Sequence, residues 1–143
     1  MPAPPPDDPA GGARAGAAPE AAVLAANAAF YDAFEARDLD AMSDVWEHSD
    51  RVACTHPGWA TLHGWGAVSS SWMALFTRGE PLQFVVTSVR ATVEGTAAWV
   101  TCEEGILGAS GASSAVAAIN LFARGGDGVW RMVGHHGSPV AGP

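Results

Sequence analysis

The sequence predicts an α+β domain, with three helices in its first half and a curved antiparallel sheet in its second. Two observations carry this. Apolar residues recur at helical spacing in most of the chain up to Thr77, then alternate in four successive runs from Leu82 onward. Tight-turn signals, Glu94-Gly95 and Gly125 to Gly128, separate those runs as hairpin connections do. The chain has 143 residues, 48% of them hydrophobic, enough for one core without covalent staples.

The first helix is expected over Pro19 to Arg37, where Val23, Phe30 and Phe34 share a face. Asp38 then caps a short second helix carrying Leu39, Met42, Val45 and Trp46 on one side, ending by His48 to Asp50. Val52 to His56 reads as a short strand stopped by Pro57-Gly58. A third helix follows over Trp65 to Thr77, with Val68, Trp72, Leu75 and Phe76 along one face. The strand runs are Leu82 to Val93, Ala97 to Leu107, Ser114 to Arg124 and Val129 to His136. In the first run the apolar register changes from Leu82, Phe84 and Val86 to Val89, Ala91 and Val93, which calls for a bulge near Val86 to Ser88. The Gly-rich segment Gly105 to Gly111 is expected as a loop, a candidate lid. The order α-α-β-α-β-β-β-β places three helices on the concave face of the sheet, making a cup. Residues 1–19, rich in Pro, Ala and Gly, are expected as a flexible tail, 20–139 as the domain and 140–143 as a short flexible end.

A net charge of −8, with seven arginines as the only Lys/Arg residues, argues against nucleic acid or anionic membrane as a partner. No apolar run reaches the length of a membrane span, and the N-terminus has neither the basic start nor the apolar stretch of a signal peptide, so a cytoplasmic protein is expected. Cys54 and Cys102 read as reduced core residues.

Several local motifs carry a resemblance. Phe30-Tyr31-Asp32-Ala33-Phe34-Glu35-Ala36-Arg37-Asp38-Leu39-Asp40, His56-Pro57-Gly58, Gly64, Trp99-Val100-Thr101, Asn120-Leu121-Phe122 and Trp130-Arg131-Met132-Val133 up to His136 and Ser138 resemble the SnoaL-like branch of the nuclear transport factor 2 superfamily, over about residues 20 to 139. The resemblance implies a cone-shaped barrel open to a small hydrophobic ligand, and a homodimer paired through the sheet. It implies no single activity, because that superfamily holds ketosteroid isomerases, polyketide cyclases, epoxide hydrolases, dehydratases and modules that only bind or assemble.

Against the ketosteroid isomerases, which pair a carboxylate base with a Tyr and a protonated Asp, the base position falls on His56, the Asp donor on Asn120 and the Tyr on Phe30, with Tyr31 one residue on. His56 would be a neutral base on burial, and Asn120 an oxyanion donor. Both residues also have structural readings, a turn cap and a satisfied amide. Glu103 and Glu104 face opposite sides of one strand, and the apolar pattern leaves open which points inward; an inward Glu103 would be a further acid or base. Of the adjacent His135 and His136, the latter shares a side with Trp130 and Met132 and is expected inside, His135 outside. Tyr31, Trp59, Trp72, Trp99, Phe122 and His136 are the candidate ligand contacts, although Trp72 fits core packing as well. His56, His63 and His136 have no zinc-type spacing, so neither metal nor cofactor is expected. Two readings follow: an isomerase, cyclase or dehydratase acting on a small hydrophobic carbonyl compound, and a non-catalytic ligand-binding or dimerisation module.

Overall fold

The computed structural model describes residues 9–141, with side chains described from residue 18. Helix α1 spans Pro9–Ala36, so the first eleven residues of the domain's helix fall where a tail was expected; residues 1–8 lie outside the described residues. Alanine is the strongest helix former, and a proline fits the first turn, where its missing N–H has no partner to lose. The helix passes through Pro19. It ends where Arg37 turns into the left-handed region (φ 55°), with Asp38 N bonded to Ala33 O and Arg37 N to Phe34 O. Asp38 then caps α2 (Leu39–Val45), accepting from Ala41 N at 3.0 Å.

Strand β1 is Ala53–Thr55 and α3 is Trp65–Arg78; between them lies a two-residue strand, β2 (Leu62–His63), that the sequence did not suggest. The long strands are β3 (Leu82–Glu94), β4 (Ala97–Gly108), β5 (Ser113–Arg124) and β6 (Trp130–Pro139). The Gly-rich run is therefore strand as far as Gly108, and the connection to β5 is a short turn. The sheet order is β2-β1-β6-β5-β4-β3. It does not close, and it is mixed: β1 pairs parallel with β6, through Ala53 opposite Gly134 and Cys54 opposite His135.

Two register shifts shape the sheet. The pairing of β3 with β4 jumps from Thr87–Glu103 to Arg90–Thr101, with Ser88 at φ 55°, so the bulge lies next to the expected position. The pairing of β5 with β6 jumps from Leu121–Gly134 to Phe122–Met132, leaving Val133 as an extra residue. All three helices pack on one face of the sheet, around Val23, Phe30, Met42, Trp46, Val68, Trp72, Val100, Phe122 and Met132, each at most 1% exposed. Ring contacts bind the layers: Phe34 meets Trp72 edge-on at 4.8 Å between centroids, and Phe30 meets Trp72 at 5.5 Å. The opposite face of the sheet leaves Val85, Trp99, Ile119 and Leu121 exposed.

Candidate functional site: a buried polar network at the floor of a cleft

Asn27, Tyr31, His56, Ser71, Glu104, Asn120 and His135 are all buried within the apolar interior. Each comes from an element whose periodicity turns it inward. Asn27 and Tyr31 lie one turn apart on the inner face of α1, and Ser71 lies between Val68 and Trp72 on that of α3. Glu104 follows Val100 and Cys102 along the inward side of β4, opposite Val116, Ala118 and Asn120 on β5. A polar residue inside an apolar stripe was the available sequence signal for Asn27 and Ser71.

The hydrogen bonds form one connected set around Asn120. Its Nδ2 donates to Asn27 Oδ1 at 2.8 Å and to Tyr31 Oη at 3.1 Å, and its Oδ1 accepts from His135 Nδ1 at 2.5 Å. Tyr31 Oη donates to Glu104 Oε2 at 2.5 Å. The Cys102 thiol lies 3.3 Å from Tyr31 Oη; with the phenol hydrogen given to Glu104, the thiol is the donor. On the other side of the core, Ser71 Oγ donates to Val68 O at 2.6 Å and so accepts from His56 Nε2 at 2.8 Å. That arrangement leaves Nδ1 as the basic nitrogen of His56, with Cys54 Sγ 3.9 Å from Nδ1 and 3.7 Å from Nε2. The two imidazoles are 6.5 Å apart between centroids.

Burial sets the protonation states. Desolvation lowers His56 to about 4 and His135 to about 3, His135 being further disfavoured as a cation by His56 and His136; both are neutral at pH 7. Desolvation raises Glu104 to about 7, against the stabilising hydrogen bond from Tyr31. Glu104 thus exchanges its proton near neutrality. The Cys54 thiol is pushed up to about 12 by burial and by Glu104, and Tyr31 is held above its usual value by the same two causes, so both stay protonated.

Asn27 and Tyr31 bring the network to the surface. Between α1 and β3 a cleft of about 320 Å³ has walls from Leu24, Ala28, Phe84, Val86 and Val89, with Asn27 and Tyr31 also lining it. The β3 bulge forms this cleft, because the extra residues bring Val89 to the same side as Phe84 and Val86. Asp32 and Glu35, exposed one helical turn beyond Ala28 and Tyr31, form its rim.

The site residues expected from the sequence divide accordingly. Tyr31 and Asn120 are buried in the network, His56 is buried apart from it on Ser71, and Trp72 (1% exposed) and Phe122 pack between the helices and the sheet. Trp59 is 44% exposed and meets His56 edge-on at 4.8 Å. Three expectations are corrected. Glu103 points to solvent and Glu104 inward, because Glu104 continues the phase of Val100 and Cys102. Trp99 shares the phase of Glu103 and lies on the outer face. His136 is exposed and His135 buried, because the bulge at Val133 reverses the alternation after Met132. Asn120 also falls short as an oxyanion donor, since both of its amide hydrogens are already bonded inside the protein. Among the described residues, no three His, Cys, Asp or Glu side chains gather as a metal-binding group, and no helix is long and apolar enough to cross a membrane.

Comparison with known proteins agrees with this architecture. A candidate dehydratase of the NTF2-like family from Streptomyces avermitilis is 39% identical, over 84% of this chain and 94% of that one, with a TM-score of 0.76. A candidate calcium/calmodulin-dependent protein kinase type II association domain from Thiobacillus denitrificans is 38% identical, over 82% and 94%, also at 0.76. A ketosteroid isomerase-like protein from Erwinia carotovora shares the fold, at 19% identity over 85% and 96% with a TM-score of 0.66. The F-box protein SKIP8 of Arabidopsis thaliana is 31% identical over 117 residues, 82% of this chain; the chain spans about half the length of that relative, 49%. The SnoaL-like domain model matches residues 23–142. With that match over most of its length, and with the three-helix, open-sheet architecture, the chain belongs to the SnoaL-like family.

Proposed function

We propose that this protein is an acid–base enzyme for a small, largely apolar carbonyl compound, catalysing an isomerisation or a dehydration. Glu104 takes and returns the proton, and Tyr31 couples it to the cleft. The observation that carries the reading is the buried Glu104 carboxyl bonded to Tyr31, a residue that lines the cleft. Burying a carboxyl in apolar surroundings costs several kcal/mol when it ionises, a poor choice for a side chain that only fills space. A general acid or base works best with a pKa near the working pH, and that of Glu104, about 7, meets this requirement.

In this reading the phenol oxygen of Tyr31, which lines the cleft, takes a proton from the carbon beside the substrate carbonyl as its own hydrogen passes to the Glu104 carboxylate. The same transfer run in reverse, from Glu104 through Tyr31, gives the proton to another carbon, which isomerises the substrate, or to a departing hydroxyl, which leaves as water. Both reactions balance with one proton donor and acceptor. Asn120 is a positioning residue that holds Asn27, Tyr31 and His135 in one arrangement. His56, the base expected from the sequence, is a neutral proton acceptor enclosed by Trp59, Trp72 and Ser71, and it does not line the cleft.

The assay is conversion of simple β-hydroxy ketones and β,γ-unsaturated ketones to conjugated enones, followed by their ultraviolet absorbance. Glu104→Gln lowers kcat by roughly 10²–10⁴, and His56→Ala leaves it within a few-fold. Turnover lost in His56→Ala and kept in Glu104→Gln would transfer the base to His56. No turnover of any ketone by the wild type would favour the non-catalytic reading.

A homodimer is part of the proposal. Trp99, Ile119 and Leu121 are 39–48% exposed on the outer sheet face, together with Val85, and apolar groups clustered on a flat surface favour a covering partner. The free, buried thiols of Cys54 and Cys102 suit the reducing cytoplasm, where we place the protein.

A further inference from the structure

The cleft between α1 and β3 has an unequal distribution of charge, which bears on what it binds. Its rim carries Asp32 and Glu35, and no Lys or Arg lines it. Neither acid takes part in an ion pair among the described residues, where Arg51 pairs with Glu47 and Arg131 with Asp127. Glu35 Oε2 accepts from Phe84 N at 3.0 Å, a bond that leaves Oε1 uncommitted. The walls are apolar.

The floor supplies an independent observation. Asn27 is only 3% exposed, yet it lines the cleft. Its Oδ1 is taken by Asn120, which turns its Nδ2 away from the network, and that amide donates to no group among the described residues. The described atoms that are wholly enclosed without a partner are Trp46 Nε1 and Trp72 Nε1; Asn27 Nδ2 is not among them, and it opens onto the cleft, where an oxygen can accept from it. Along α1, Asn27 is separated from Asp32 and Glu35 by five and eight residues, roughly 8 and 12 Å of helix rise.

We infer that the cleft binds an amine with an apolar body and an oxygen at its far end, the ammonium at Asp32 and Glu35 and the oxygen accepting from Asn27 Nδ2. A carboxylate of the same shape is rejected by the rim. This inference rests on the cleft being the substrate entrance proposed above, and it adds the charge class of the ligand.

Three probes of one skeleton test it: tyramine, 3-(4-hydroxyphenyl)propanoate and phenethylamine, titrated into the full-length protein at low salt and followed by amide chemical shifts. Tyramine moves the amides of residues 24–35 and 84–89. The propanoate binds at least about tenfold more weakly, since the rim attracts one and repels the other. Phenethylamine, lacking the oxygen, falls between them. Asp32→Asn with Glu35→Gln, both at exposed positions, removes the preference for tyramine and its salt dependence, and Asn27→Leu removes the difference between tyramine and phenethylamine. The inference is overturned if millimolar tyramine moves no amide, if its shifts lie elsewhere, if the propanoate binds equally well, or if the double variant keeps the preference. Binding is read without turnover, so amine binding by a protein that converts no ketone retains this inference and removes the catalytic one. Turnover without amine selectivity does the reverse.

Discussion

Replacing Glu104 with glutamine tests whether its carboxyl is as dry as its surroundings imply. In the folded protein its pKa is raised from 4.5 to about 7, so between those values the folded state holds a proton that the unfolded state has released. The stability linked to this group is fully present below about pH 4.5 and is lost as the pH rises through about 7. The difference between those two values corresponds to about 3 kcal/mol. His56 and His135 act in the opposite sense: lowered from 6.5 to about 4 and about 3, they bind protons on unfolding and favour the folded state as the pH rises toward 6.5. The wild-type profile mixes both slopes, whereas the difference between wild type and Glu104→Gln isolates the carboxyl. The amide cannot ionise, and its oxygen still accepts from Tyr31. Urea unfolding at fixed protein concentration should show the variant gaining on the wild type by about 2–3 kcal/mol between pH 5 and pH 8. A gain below about 0.5 kcal/mol would mean that water reaches Glu104 in the folded state and would refute the reasoning.

Three further outcomes follow from the packing. Trp72→Ala, which empties the contact between α3 and Phe30, Phe34 and His56, lowers unfolding free energy by about 3–5 kcal/mol; a loss below about 1 kcal/mol would mean that the core refills around it. Asp38→Ala, which removes the bond to Ala41 N, lowers it by about 1 kcal/mol, seen as a lower Tm. Leu121→Glu on the outer face converts the proposed dimer to a monomer by light scattering with circular dichroism unchanged; a wild type already monomeric would show that this face is not a contact.

The sequence made the fold legible because most of its elements keep one periodicity from end to end. Val68, Trp72, Leu75 and Phe76 fix the buried side of α3 unaided, and the shift in apolar phase between Val86 and Val89 announces a bulge. The site was less legible, for a local reason. Val100, Cys102 and Glu104 compete with Trp99, Thr101 and Glu103 for the inward side of β4, and neither set is clearly the more apolar, so only pairing with Ala118 and Asn120 decides. On β6 the alternation from Trp130 and Met132 points to His136, and one unpaired residue reverses it. Asn27 lies in an apolar stripe as an amide among alanines, but its meaning depends on Asn120, which is 93 residues away. Such long-range partners leave no trace in local spacing.

The unpaired residue in β6 also governs how the strand can change length. Met132 and His135 both face the interior although three positions separate them, because Val133 belongs to neither phase. Removing Val133 would restore simple alternation and keep His135 opposite Asn120, whereas removing any residue between Gly134 and the end of the strand would bring different side chains against β5. Keeping Val133 but straightening the strand would set Gly134 against Asn120 and leave its carbonyl oxygen without a donor. The strand can therefore lose Val133 without disturbing the interior, and as long as Val133 is present its exclusion from the pairing is what turns His135, and not its neighbour His136, toward the network.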